Sequence, residues 1–310
     1  MERAAIGSLS VSQVGLGCNN FGGRLDAEAS ARVVHAALDA GIDFFDTADV
    51  YGGHLSEEHL GRALRGVRDQ VVIATKFGAP GSSDAGVSRG SAAWIARAAE
   101  RSLERLGTDR IDLYQLHFPD AEVPIDETLT ALDALVRAGK VRETGCSNFG
   151  STRLFEAARA AEAAGGTAFA CVQNRYSVLH RDAEAKVAPA CSELGIGLIP
   201  YFPLEAGLLS GKYRAGEALP DGTRLAALPE DQRGRFLGEA NLKKTERLRE
   251  YAEARGHTLL ELAISWLAGN PAVPSVIAGA TRPEQVAANA AAASWSMSAE
   301  ERAEIDSLVR

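Results

Sequence analysis

No stretch of this 310-residue chain approaches the ~18 consecutive apolar residues that a membrane span needs, so no membrane-embedded segment is expected. The opening, MERAAIGSLSVSQVG, has no basic segment running into an apolar one, and a secretory leader is not expected. Cysteine is scarce. Cys18, Cys146, Cys171 and Cys191 stand far apart with no C-x-x-C pair, which fits reduced thiols in a cytoplasmic protein. Metal-holding spacings are missing as well: there is no H-E-x-x-H and the six histidines are dispersed, so no catalytic metal is expected. Positive charge is in deficit, with a net charge of −8, and the basic residues are scattered. That argues against a general nucleic-acid or membrane-surface binder.

What the chain does have is alternation. Short β-branched or apolar runs lie at 44–48, 71–76, 111–117, 141–148, 171–176, 196–202 and 274–279, and an eighth near Val14–Leu16 opens the series. Runs of this kind suit strands of a parallel sheet covered on both faces. Between them, helical spacing predicts helices at 27–40, 57–65, 91–106, 127–138, 151–164, 184–194, 258–268 and 282–293. Glycines at 41, 107, 139, 165 and 195 follow helices as C-terminal caps. Eight strands alternating with eight helices is the pattern of a (β/α)₈ TIM barrel; an open doubly wound sheet is the alternative, since alternation alone does not show closure. Residues 4–13 read as a hairpin turning at Ser8 and lying on the barrel floor. Residues 205–257 read as a Gly- and Pro-punctuated loop and then a helix, and Ser298 with Glu301 opens a final helix by a capping box. No linker or change of composition divides the chain, so a single domain over 1–310 is expected.

In such a barrel, chemistry gathers where strands run into their following loops. Asp46 ends one predicted strand, with Tyr51 five residues later, Lys76 ends the next and His117 the next. Four titratable residues thus reach one rim from neighbouring strands. A Lys⁺ ~4 Å from a Tyr is worth ~4 kcal/mol at an effective dielectric of ~20, which lowers the phenol pKa by up to ~3 units before screening. Asp46 would keep a buried Lys76 charged. His117 would then orient a carbonyl and Tyr51 would supply a proton as hydride arrives. Taken singly, each residue has a plain structural reading: a satisfied carboxylate, a solvated strand end, a packed aromatic, a core histidine. Four together at one rim favour catalysis.

GIDFFDTADVYGG (41–53), VVIATKFG (71–78), LYQLHFPD (113–120), ETGCSNF (143–149), VQNRYS (172–177) and SVIAGATRPEQVAAN (275–289) occur in an order that resembles the aldo-keto reductase superfamily. The resemblance implies a (β/α)₈ barrel, NADPH as cofactor, and Tyr51 as general acid supported by Lys76 and Asp46, with His117 orienting a small-molecule aldehyde or ketone. It also implies that Ser147, Asn148 and Gln173 bind the nicotinamide amide and that the ring stacks on Tyr201. Phe202, Leu204, Gly207, Leu209, Gly211 and Lys212 would follow the pyrophosphate. After Gly279, Thr281 suits an N-cap and Pro283 a first helical turn, a site that favours anions. There Arg282 would grip the 2′-phosphate, with Gln285 and Asn289 at the adenine. Three departures from the family pattern stand out: Phe202 where Ser is common, Ala288 where an acid commonly precedes Asn289, and Phe118 where Trp often follows the His.

Other signals carry less. GVSRG (86–90) matches a nucleophile-elbow pattern but follows a polar loop rather than a strand. GLGCNN (15–20) lacks the last glycine of a dinucleotide fingerprint and no helix follows directly. An alternative function is a cofactor-binding regulatory subunit resembling potassium-channel β subunits, although nothing resembles an added N-terminal inactivation segment. Phe21, Phe77, Phe118 and Tyr51 are expected to form an aromatic pocket wall. A monomer or weak homo-oligomer is the expected state.

Overall fold

The computed structural model describes residues 1–214 and 216–310; Ala215, inside the expected loop, lies outside the described residues. Strands β1 (Arg3–Ile6) and β2 (Leu9–Ser12) form an antiparallel hairpin. Eight further strands follow: β3 (Val14–Gly17), β4 (Phe44–Asp46), β5 (Val72–Phe77), β6 (Ile111–Leu116), β7 (Val141–Ser147), β8 (Phe169–Arg175), β9 (Gly197–Tyr201) and β10 (Val276–Gly279). They form one parallel sheet in the order β10-β3-β4-β5-β6-β7-β8-β9. At the remaining seam the Leu198 amide donates to the Ala272 carbonyl at 2.7 Å, just ahead of β10. The barrel is nearly closed, and the open-sheet alternative falls.

Helices α1 (Ala27–Asp39), α2 (Leu55–Ala63), α3 (Ala92–Leu106), α4 (Ile125–Arg137), α5 (Ser151–Ala164) and α6 (Asp182–Leu194) alternate with the strands. Each expected helix is present to within two or three residues at either end. Gly107, Gly165 and Gly195 adopt left-handed C-caps, as the sequence pattern predicts. The segment after β9 is richer than expected. A 3₁₀ turn (Glu205–Ser210) leads to short helices α7 (Arg224–Ala227) and α8 (Glu230–Leu237) before α9 (Glu239–Glu253). Nearly all of EDQRGRFL in α8 is polar, so it shows little apolar periodicity, and only Phe236 buries its side chain. Then come α10 (Leu259–Ala268), α11 (Pro283–Ala291) and α12 (Ala299–Val309), the last opened by the Ser298–Glu301 capping box.

Two apolar layers hold the barrel. Outward-facing strand residues pack against helices in the main core, with Trp94, Ile95, Leu103 and Leu106 of α3 among its members. A second cluster fills the barrel interior: Phe44, Val72, Ala74, Leu113, Cys171, Ile199 and Ile277, closed below by Ile6, Leu9 and Val11 of the hairpin. The hairpin therefore plugs the floor. Its turn is fixed from the barrel wall, where Glu143 Oε1 accepts from the Ser8 amide at 2.7 Å. Alternate side chains on a strand share a face. The interior series Phe44–Asp46, Ala74–Lys76, Leu113–Gln115 and Cys171–Gln173 thus changes from apolar below to polar above within one two-residue step.

Among the described residues no helix is long and apolar enough to cross a membrane. The helical layer is tight in places. A Cβ on Gly61 of α2 would lie 2.1 Å from the Leu106 carbonyl oxygen of α3, so neither backbone can accommodate it without moving. Gly61→Ala is expected to lower stability by roughly 2–4 kcal/mol in denaturant unfolding. An unchanged midpoint would show that α2 and α3 are not held this closely.

Candidate active site

The four rim residues come together. Asp46 and Lys76 form a buried ion pair at 2.7 Å, and Lys76 Nζ also donates to the Thr47 carbonyl at 2.8 Å. Nζ lies 5.1 Å from the centre of the Tyr51 ring, and the His117 ring meets Tyr51 edge-on at 5.9 Å between centroids. Asp46, Tyr51 and His117 face one cavity of about 950 Å³ at the C-terminal ends of the strands. Lys76 lies beneath it, fully buried.

Electrostatics follow from this packing. Burial is the largest influence on Lys76 and favours loss of its proton, but Asp46, and after it Tyr51, outweigh it and hold the ammonium above its ordinary range. For Tyr51 the balance runs against the expectation from charge alone. Burial raises the phenol more than Lys76 lowers it, and Asp46 adds to the rise, so Tyr51 titrates above an ordinary tyrosine. His117 is pushed down to about 3 by burial and by Lys76, and its ring is neutral over the whole physiological range. Its Nδ1 is buried with no hydrogen-bond partner.

The Aldo/keto reductase family profile matches residues 13–310. A protein of Bacillus subtilis (strain 168), the aldo-keto reductase YhdN, is 33% identical over 318 residues, covering 100% of this chain and 94% of its own. An uncharacterized oxidoreductase of the same organism, YrpG, is 36% identical over 92% of this chain and 89% of its own. A probable voltage-gated potassium channel subunit beta of Arabidopsis thaliana is also 36% identical, over 91% and 87%. The chain belongs to the aldo/keto reductase family.

Most of the other residues singled out in the sequence line the same cavity: Ser147, Asn148, Gln173, Tyr201, Phe202, Leu204, Gly207, Lys212, Gly279, Thr281, Arg282, Gln285 and Asn289. Several bind one another. Tyr201 Oη donates to Asn148 Oδ1 at 2.8 Å, Asn148 Nδ2 to the His117 carbonyl at 3.0 Å, and Gln173 Nε2 to Asp46 Oδ1 at 2.8 Å. Leu209 is fully buried in the main core, and neither it nor Gly211 is part of the cavity wall. Thr281 is not the N-cap. Pro283 forces the residue before it into an extended conformation, so Arg282 (φ −150, ψ 149) caps α11. Thr281 instead donates through its amide and hydroxyl to Gln285 Oε1, at 2.8 and 3.1 Å. The aromatic wall also needs correction. Phe21 is enclosed in the main core, and Phe77 stacks on Tyr114 at 4.6 Å behind β5, whereas Phe118 does line the cavity and stacks on His117 at 5.0 Å. Both misplaced rings follow or end strands, where sequence does not say which face a side chain takes.

Three residues escaped the sequence reading. Gln115 is fully buried one interior position below His117 and donates weakly to Asp46 Oδ1 at 3.4 Å; the two-residue period of β6 was the available signal. Arg24 lines the cavity and reaches across it to the Gly222 carbonyl at 2.6 Å. Arg224 lies over the Phe202 ring at 4.8 Å. Arg24 sits in a loop and Arg224 opens the four-residue α7, which is too short for a periodicity to mark it.

Behind Tyr51 is a second buried acid. Asp49 is 3% exposed, and its Oδ1 has no partner. Burial, reinforced by the neighbouring Glu57, raises it to about 7. Glu57 is itself fully buried, accepting from Thr75 Oγ1 and Arg105 Nε at 2.6 Å each. An acid whose folded pKa lies above its unfolded value favours folding at low pH, and the advantage disappears as pH rises through the folded value. Asp49 thus weakens the fold between about pH 4 and pH 7. Asp49→Asn, which cannot ionise, is expected to gain on the order of 1–3 kcal/mol more over the native protein at pH 8 than at pH 5. Equal effects at both pH values in thermal unfolding would rule out this titration.

Proposed function

We propose that this chain is an NADPH-dependent reductase of aldehydes or ketones in which Tyr51 is the general acid. The observation that carries the reading is the Lys76–Asp46 pair set beneath Tyr51, with neutral His117 on its edge, all at the floor of a cavity large enough for a cofactor and a small carbonyl.

The cavity has the chemistry that a polyanionic cofactor requires. Arg24, Lys212, Arg224 and Arg282 all line it, and among the described residues none has a carboxylate within ion-pair distance. Burial, with repulsion from Arg24 and Arg282, lowers the Lys212 pKa, and burial with Arg24 does the same to Arg224. Uncompensated like charge of this kind is relieved by phosphate. In this reading Lys212, with Arg24 and Arg224, meets the pyrophosphate alongside the backbone from Phe202 to Gly207, while Leu209 and Gly211, outside the cavity wall, support that segment from behind. Arg282 takes the 2′-phosphate beside Gly279 and Thr281, with Gln285 and Asn289 at the adenine. Ser147, Asn148 and Gln173 orient the nicotinamide and Tyr201 supports its ring. NADPH, when bound, supplies the hydride.

The protein's own part is proton delivery and orientation. A neutral imidazole holds one proton. Leaving the bare nitrogen at the buried, unpartnered Nδ1 costs less than burying an unpaired N–H there, so Nε2–H donates to the carbonyl oxygen. Tyr51 Oη then transfers its proton to the same oxygen as negative charge develops on it, while Lys76⁺ stabilises the phenolate left behind.

Oxidation of NADPH against a panel of aldehydes, ketones and keto-sugars tests the reading. Tyr51→Phe is expected to lower kcat by roughly 10²–10⁴-fold with NADPH affinity unchanged. Retention of full turnover would remove Tyr51 from the mechanism. The rate should be level through neutral pH and decline only on the alkaline side, because His117 is neutral and Tyr51 protonated throughout that range; a step between pH 5 and 8 would contradict this. Arg282→Ala is expected to weaken NADPH binding by about ten- to a hundredfold and NADH binding hardly at all, measured by fluorescence titration. A second reading, a regulatory subunit, is favoured by the relative named as a potassium channel β subunit, which is as similar as the oxidoreductase YrpG. Tight NADPH binding without turnover of any carbonyl would shift the balance to it.

A further inference from the structure

Tyr51 opens a turn that bends the wrong way for ordinary residues. Gly52 (φ 57, ψ 28), Gly53 (φ 64, ψ 42) and His54 (φ 80, ψ −15) lie consecutively in the left-handed region before α2 begins at Leu55. Gly52 has no alternative, since a Cβ there would lie 2.2 Å from the Phe21 carbonyl oxygen. Glycine adopts this conformation freely, but His54 carries a Cβ and pays for it in strain, so something holds it in place. The His54 side chain bonds through Nδ1 to the carbonyl oxygen of Asp49. A carbonyl only accepts, so Nδ1 carries the proton, as it does in one neutral tautomer and in the cation.

The other side of Asp49 is equally fixed. Its amide donates to the Lys76 carbonyl at 3.0 Å, and the Tyr51 amide donates to Ala48 at 3.2 Å. A continuous bracket therefore runs from the Lys76 backbone through Asp49 and the His54 ring, and Tyr51 lies inside it. The far end of Lys76 stands 5.1 Å from the Tyr51 ring. The geometry points to His54 as a positioning residue for Tyr51, acting through the hydrogen bond it donates to Asp49. The ring is exposed and does not line the cavity, so it acts without touching substrate or cofactor.

The inference rests on Tyr51 being the acid, and three variants separate its elements. His54→Ala removes the bond and keeps the strain; His54→Gly removes both. His54→Asn tolerates the left-handed conformation and places its Nδ2 where Nδ1 was. Carbonyl reduction should show kcat lowered on the order of tenfold in the Ala and Gly variants with KM little changed, and close to native in the Asn variant. Alongside, the Tyr51 phenol is titrated by ultraviolet difference against Tyr51→Phe. Its pKa should move in the Ala and Gly variants and return in Asn. A Gly variant with native kcat and native titration, or an Asn variant as impaired as Gly, overturns the proposal. Full turnover in Tyr51→Phe would instead remove the reading of the site, and the phenol titration would still decide whether the bracket positions Tyr51.

Discussion

The arrangement of this barrel's rim depends on one ion pair, Lys76 with Asp46, in a place where isolated charges are costly. Moving either group out of water costs several kcal/mol, and their attraction offsets this only where the remaining donors and acceptors are also met. They are met here. Lys76 spends a second proton on the Thr47 carbonyl, and Asp46 receives Gln173 at 2.8 Å and, more weakly, Gln115. Such a pair gains the fold little or nothing over a well-packed apolar pair. What it provides is a fixed positive charge under Tyr51, which Asp46 holds protonated through neutral pH.

Strain is distributed in keeping with this. Among the described residues, the non-glycine ones in the left-handed region are His54, Asn148, Phe202, Glu205 and Ala206, and all follow the C-terminal ends of barrel strands. Three of the five are anchored by side-chain hydrogen bonds: His54 on Asp49, Asn148 on Tyr201 and His117, and Glu205 on Ser177 and Arg175. The floor, closed by the hairpin, has none. Conformations that are individually unfavourable persist only where surroundings over-determine them. Their concentration at one end sets the cavity apart from the apolar cluster that fills the barrel interior beneath it.

The barrel was legible in the sequence because its two layers obey simple periods. Continuous apolar runs became strands, helical stripes became the outer layer, and glycines closed the helices. The rim acids and bases were legible for the same reason, since each sits at or just past the end of a recognisable strand. Phe21 and Phe77 were misread because a residue at a strand's edge takes either face, and the choice rests on neighbours such as Tyr114. Thr281 lost its capping role to Arg282 because the constraint that Pro283 places on its predecessor outranks cap preference. Arg24 and Arg224 were invisible: they line one cavity from a loop and a four-residue helix separated by two hundred residues of chain.

Tyr51 is less acidic than charge alone predicts. Charge alone predicts a phenol pulled well below its usual pKa, but the same burial that strengthens the pull of the Lys76 charge also withdraws water from the phenolate, and this second effect is larger. A site built to make phenolate at neutral pH would suit proton abstraction from an alcohol. One that keeps the phenol protonated, with a cation waiting for the phenolate, suits donation to a developing alkoxide. In the proposed reaction Lys76 would act on the product of proton transfer more than on its starting state. That is where an electrostatic group lowers a barrier, since only interactions stronger in the transition state than in the ground state accelerate the step.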